Sequence, residues 1–352
     1  LAWWIRKRYG GVLHVLRKAS RVLNPGVLMK PLKVGVIGVG HLGQHHARLY
    51  AQFPETQLVG IMDLDQDRAA AIGQQHQAPT FANLQELLRA VDAVSVAVPT
   101  SHHRDVVQTC LEADVHVLVE KPLASTVEHA RMLVEEANRR GLILEVGHVE
   151  RFNPVMDIIG GMVQSPGFIE CHRLAPYQPR GTDVDVVQDL MIHDLDLILS
   201  LQLGGVNKVE AVGVPVLSSR VDFANARVEF SEGCIVSFTS SRMSTGRLRK
   251  MRLFQSDLYL SVDFHTRQGI VYRRTDRSDD VSAVVEESIQ GHDEEPLKRE
   301  LRTFVQSVQS GISRGVSGEE GLCALELAHE IIDSIHGTGA PKTVIQKAGS
   351  SL

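Results

Sequence analysis

The stretch KVGVIGVGHLG, Lys33–Gly43, decides the fold. KVGVIGVG (33–40) is a continuous apolar run that ends in glycines, the pattern of a strand buried on both faces. HLGQHHARLYAQ (41–52) follows at helical spacing. Between them Gly38, Gly40 and Gly43 make a GxGxxG turn, which is specific only where a strand runs into it and a helix opens from it, as here. The first glycine permits the tight turn, the second lets backbone approach a pyrophosphate, and the third lets helix and strand pack closely. The free N–H groups of the helix start, around His41 and Leu42, are then placed to hold phosphate.

The alternation continues outward from this loop. QLVGIMD (57–63) reads as a second strand, APTF as a short third one, DAVSVAV (92–98) as a fourth, VHVLVE (115–120) as a fifth and LILEVGH (142–148) as a sixth. Helical segments lie between them; in STVEHARMLVEEANRRG, Ser125 and Glu128 are expected to form a capping box and Gly141 to stop the helix. Strands alternating with helices predict parallel βαβ units in a doubly wound sheet over residues 30–150. Beyond 150, VNKVEAVGVPV, ARVEFSEGCIVSFTSS, KMRLFQSDLYLSVDF and GIVYRR read as longer strands without intervening helices. That predicts an antiparallel sheet over 151–352, closed by two helices, of which 319–335 is expected to pack back toward the first domain.

Asp63 ends the second strand, 20 residues beyond Gly43. A carboxylate there accepts from ribose hydroxyls and repels a 2′-phosphate, and no Arg immediately follows it, so NAD is expected rather than NADP. Ligands in open parallel sheets bind beyond the carboxyl ends of the strands. Pro99, Thr100 and His103 of the PTSHH loop and Glu120 are therefore expected at the cofactor, and Lys121 at its reacting end. A lysine partly withdrawn from water can donate to a substrate oxygen.

DVDVVQDLMIHDLDLILSL (183–201) has the apolar content of a buried helix, yet carries Asp183, Asp185, Asp189, Asp194, Asp196 and His193. Burying such groups costs several kcal/mol unless they are paired. Asp189 and His193 are i and i+4 and should share a face; the carboxylate would set the histidine tautomer and make it a general base. A helix with a polar solvent face is the plainer alternative. Asp196 is expected to fix the helix in place.

The formal net charge of −5 gives no sign of nucleic-acid binding, and no apolar run reaches the roughly 18 residues of a membrane span. Four scattered cysteines without a CxxC pair argue against a disulfide framework or zinc site and fit a reducing cytoplasm; the paired His45 and His46 are not expected to bind metal. Residues 1–29 are basic and hold both tryptophans. They are read as a dispensable extension, an artefact of a start placed upstream of Met29, in preference to a membrane-surface helix.

The glycine loop, PTSHH, EKP (120–122), GHVERFNP (147–154) and DLMIHDLD (189–196) occur in the order seen in the glucose–fructose oxidoreductase / inositol dehydrogenase / MocA family, which the chain resembles over nearly its whole length after Met29. The resemblance implies a Rossmann domain followed by an α/β domain on a large open, mostly antiparallel sheet, whose back forms homodimer or homotetramer contacts. It implies a catalytic group of Lys121, Asp189 and His193. Met191 stands where many members have Gly. HRLAPYQPRGTDVDVVQDLMIHDLDLI resembles members that act on nucleotide sugars, with Arg173 and Arg180 suited to a diphosphate and Tyr177 to stacking on a base or sugar. The implied activity is hydride transfer to NAD from a sugar hydroxyl, C3 of UDP-N-acetylglucosamine being the first choice. The alternatives are an inositol or free sugar as substrate, or a non-catalytic NAD-binding regulator.

Overall fold

A computed structural model describes residues 30–177, 184–274 and 284–337. The expected extension, Arg180 and Asp183 lie outside the described residues. From Leu32 onward the chain packs as one unit around two sheets.

The first sheet is parallel and five-stranded, in the order β2-β1-β3-β4-β5. Its strands are β1 (Leu32–Ile37), β2 (Thr56–Met62), β3 (Ala93–Val96), β4 (His116–Glu120) and β5 (Leu144–Gly147). β3 and β5 are buried at every position and β4 along its middle, as strands covered on both faces must be. APTF does not form the expected strand. Pro79 sits in it and cannot donate to a ladder, and only Thr80 pairs, in an isolated bridge to Ile61. The helix after the glycine loop runs Gly43–Gln52. The cap of helix Val127–Arg140 is Thr126 rather than Ser125: the Thr126 side chain accepts from the His129 N–H, while Ser125 Oγ donates to the Thr100 carbonyl. Gly141 ends that helix in the left-handed region, as expected.

The second sheet has eight strands in the order β13-β12-β11-β10-β6-β9-β8-β7. They are β6 (Phe168–Leu174), β7 (Val206–Val214), β8 (Phe223–Phe230), β9 (Ile235–Ser241), β10 (Leu248–Gln255), β11 (Leu258–Asp263), β12 (Gln268–Arg274) and β13 (Val284–Gln290). All neighbours are antiparallel except β6 and β9. The run KMRLFQSDLYLSVDF is a hairpin, β10 and β11, rather than one strand. β6 escapes the sequence reading because FIECHRL carries Glu170, His172 and Arg173; in the sheet, Ile169, Cys171 and Arg173 are its buried positions.

Helices Pro296–Ser310 and Gly318–His336 complete the packing. Leu301, Phe304 and Val305 join the core on one face of the parallel sheet, and Ala324 and Leu325 the core on the other. Leu327, Ala328 and Ile331, one turn further along the last helix, pack into the core of the second sheet. Ser317 and Glu320 form a reciprocal capping box at its start. Among the described residues no helix is long and apolar enough to cross a membrane.

Candidate functional site

The carboxyl ends of the parallel strands present Gly38, Asp63, Glu120 and His148 along one edge, with β1 at the switch in strand order. Gly38 has φ +83 and donates its N–H to the Met62 carbonyl at 2.7 Å. A Cβ on Gly43 would overlap the Gly38 carbonyl oxygen, so helix and strand meet with no room for a side chain. Around Gly40, by contrast, a Cβ would meet nothing within 4 Å. That open space is where a close-approaching pyrophosphate needs it, so this loop fits a dinucleotide. His41 and Leu42 are exposed at the same turn.

Asp63 follows β2 beside the glycine loop. Its carboxylate accepts from the Val39 N–H at 2.8 Å, the Asp65 N–H at 2.9 Å and Arg68 at 3.0 and 3.2 Å. Burial pushes its pKa up, but the Arg68 pair and the two backbone donors outweigh burial and hold it below the usual value. Arg68, a helical turn beyond Asp63, is thus committed to the carboxylate.

Pro99 and Thr100 lie on the turn after β3, Pro99 exposed and Thr100 half-buried. Two residues expected at the cofactor have other partners. His103 is buried and spans two backbone carbonyls, Nδ1 at 2.7 Å from Pro122 and Nε2 at 2.9 Å from Val98. It braces the turns after β3 and β4, each ring nitrogen facing a carbonyl and the N–H of the neutral ring donating to one of them. Burial lowers its pKa against these two contacts. Glu120 points at the glycine helix, 3.1 Å from Nε2 of buried His46. Burial raises its pKa, but His46, Lys121 and His103 together bring it below the ordinary range.

Lys121 crosses to the second half of the chain. Its Nζ donates to the Asp189 backbone carbonyl at 2.6 Å and lies 3.4 Å from Asp189 Oδ1. Val187–Met191 form a π-helical turn, followed by the α-helix Ile192–Ser200. A π turn is wider than an α turn, so residues four apart no longer superimpose on one face. The expected Asp189–His193 contact is accordingly absent among the described residues; the carboxylate serves Lys121 instead. His193 Nδ1 is buried without a hydrogen-bond partner. Burial, then the charges of Lys121 and Arg173, the facing His148 ring and Arg249, hold its pKa well below 6.5, so the imidazole is neutral.

Each remaining acid of the stretch among the described residues meets a donor from elsewhere. Asp196 takes a two-pronged bond from Arg151 at 2.6 and 3.0 Å, which fixes the helix as expected. Asp194 takes the same from Arg173 at 2.7 and 3.0 Å, and Arg173 also reaches Glu150 at 3.0 Å. Asp185 accepts from the Val221 N–H at 2.9 Å. Arg173 is expected from the sequence to face a diphosphate, but its side chain is only 4% exposed and every guanidinium nitrogen is spent on Asp194 and Glu150. Its pKa is raised because those two carboxylates outweigh burial. Tyr177 is exposed, at the edge of the described segment.

Two further residues of the site are not among those the sequence singles out. His148, at the end of β5, is buried with neither ring nitrogen bonded, and stands edge-on to His193 with ring centroids 6.4 Å apart. Its place after LILEVG, at the same strand-end edge as Lys121, is the signal that marks it. Arg249, on β10, bonds Glu150 at 2.8 Å. No group of residues that could hold a metal ion occurs among the described residues.

Known proteins resemble this chain in sequence and fold. Residues 32–148 match the family described as "Oxidoreductase family, NAD-binding Rossmann fold". UDP-N-acetylglucosamine 3-dehydrogenase of Acidithiobacillus ferrooxidans is 36% identical over 83% of this chain and 95% of its own. Its solved structure superposes with a TM-score of 0.82 at 34% identity, covering 88% of this chain and 99% of that one. Myo-inositol 2-dehydrogenase of Thermotoga maritima is 26% identical over 85% of this chain and 94% of its own. A levoglucosan dehydrogenase solved with NADH and levoglucosan shares the fold, with a TM-score of 0.79 at 16% identity over 88% of this chain and 98% of that one. The glycine loop and the Asp63 carboxylate fit the NAD that this fold carries, and the chain belongs to the glucose–fructose oxidoreductase / inositol dehydrogenase / MocA family of oxidoreductases with an NAD-binding Rossmann fold.

Proposed function

We propose that the protein oxidises a sugar hydroxyl with NAD, and that the substrate is UDP-N-acetylglucosamine, oxidised at C3. The observation that carries the chemistry is the Lys121–Asp189 clasp at the carboxyl edge of the parallel sheet, with the buried His193 ring on the same helical segment as Asp189. The substrate rests on the likeness to the Acidithiobacillus enzyme.

NAD, when bound, supplies the hydride acceptor. The oxidation then needs one group to take the hydroxyl proton and one to stabilise charge on the oxygen as the carbonyl forms. His193 suits the first role, because a neutral imidazole has a free lone pair, and burial and then the nearby cations keep it unprotonated until it is needed. Lys121 suits the second, as a donor held in place by Asp189. Asp189 positions Lys121. Asp194 and Asp196, tied to Arg173 and Arg151, hold the helix that carries His193.

Residues 30–150 serve the cofactor and 151–352 the substrate in this reading. The protein works in the cytoplasm as a homodimer or homotetramer. Support for assembly comes from the outer sheet face, where Phe168, Phe254, Tyr259 and Tyr272 form a continuous cross-strand row of aromatic rings. NADH formation with UDP-N-acetylglucosamine and with myo-inositol, side by side, tests the substrate. Turnover of the inositol alone would replace the nucleotide-sugar reading with the inositol one.

A further inference from the structure

Arg173 and Arg249 are directly opposite each other on β6 and β10. Like charges in that position repel. Glu150 Oε1 sits between the two guanidinium groups, 3.0 Å from Arg173 and 2.8 Å from Arg249. The two arginines are nevertheless unequal. Arg173 is sealed in, with each of its three guanidinium nitrogens bonded to a carboxylate. Arg249 gives one nitrogen to Glu150, its sole partner among the described residues, and its side chain is 40% exposed. It stands on the same sheet face as Met251 and Leu253, which pack in the core shared with Met191 and Leu195 of the His193 helix. Its charge also reaches His193. A guanidinium with unspent donors, anchored at one corner by a buried carboxylate, is thus presented on the His193 side of the sheet. Anchoring matters, because a pre-oriented arginine fork loses less freedom when it binds a phosphate.

We infer that Arg249 binds a phosphate of the substrate's diphosphate, a role for which Arg173 is too buried. This rests on the nucleotide-sugar reading of the site. Phosphoryl oxygens match the arginine fork in charge and spacing, which a neutral inositol does not.

The test compares wild type with Arg249→Gln and Arg249→Lys, measuring kcat and KM for UDP-N-acetylglucosamine, the KM for NAD, and inhibition by UDP. Losing a charge-assisted bond to phosphate raises the KM and the UDP inhibition constant about tenfold or more in Arg249→Gln. The expected kcat stays within a few-fold and the KM for NAD is unchanged. Arg249→Lys keeps a charge beside Glu150 without the fork, and should fall between the other two; it also serves if the glutamine variant does not fold. Unchanged UDP inhibition in the variants overturns the inference. So does a loss of kcat with KM and UDP inhibition preserved, since Arg249 would then only position Glu150. A wild-type enzyme inert toward UDP-N-acetylglucosamine removes the nucleotide-sugar reading itself; wild-type turnover with an unaffected variant removes the Arg249 role alone.

Discussion

Asp189 holds Lys121, and not His193: Lys121 Nζ lies 2.6 Å from the Asp189 carbonyl oxygen and 3.4 Å from Oδ1. The two bonds differ in what a mutation removes. Lys121→Ala deletes the donor and should lower kcat about 10²- to 10⁴-fold, the usual worth of a positioned acid or base. Asp189→Asn keeps the backbone acceptor and loses only the charged contact, so a loss nearer tenfold is expected. Calorimetric titration with NAD should show both variants binding it as wild type does. A larger loss in Asp189→Asn than in Lys121→Ala would reverse these assignments.

Gly40→Ala separates cofactor binding from folding. A Cβ there meets nothing within 4 Å, so thermal unfolding should be unchanged. The added methyl occupies the space a pyrophosphate needs, and the KM for NAD should rise about tenfold or more. Gly43→Ala should instead destabilise the fold outright, because its Cβ would overlap the Gly38 carbonyl.

Arg173→Met should cost about 3–5 kcal/mol in urea unfolding, since it strands the buried carboxylate of Asp194 and leaves Glu150 with Arg249 and Asn153 alone. A substrate-binding arginine in an open cleft would show the opposite: a raised KM with little change in stability. Unfolding within about 1 kcal/mol of wild type would contradict the bracing role.

The buried histidines set a direction for pH. Burial leads in lowering the pKa of His193 and His148; on His148, Arg151 and Lys121 push the same way while Asp196 and Glu120 oppose. Between those lowered values and the ordinary 6.5, the unfolded chain binds protons that the native protein refuses. Stability therefore rises with pH across that window and is lost as pH falls below about 6.5. His148→Phe should flatten this slope. In kinetics, the acid limb of kcat/KM, which reports the free enzyme, should have its midpoint below 6.5. A midpoint above that value would remove His193 as the base.

Local features are legible in the sequence. The glycine loop, Asp63 and the strand-end Lys121 are fixed by neighbours a few residues away. The acids of the His193 helix are visible as a problem, but their partners Lys121, Arg151 and Arg173 come from separate elements, and no spacing rule links them. The π turn at Val187–Met191 defeats the i, i+4 rule itself, because that rule presumes α geometry. β6 is hidden for a similar reason: Arg173 looks like a surface residue until Glu150 and Asp194 close on it.

If this site removes a hydride and a proton from a nucleotide sugar, Lys121 and His193 must both be needed for turnover. The decisive measurement is the rate of NADH formation from NAD and UDP-N-acetylglucosamine by wild type, Lys121→Ala and His193→Ala. Steady NADH production is expected from wild type, with at least about a hundredfold loss in each variant and NAD binding intact. No NADH from the nucleotide sugar with wild type, or wild-type rates in either variant, would contradict that assignment.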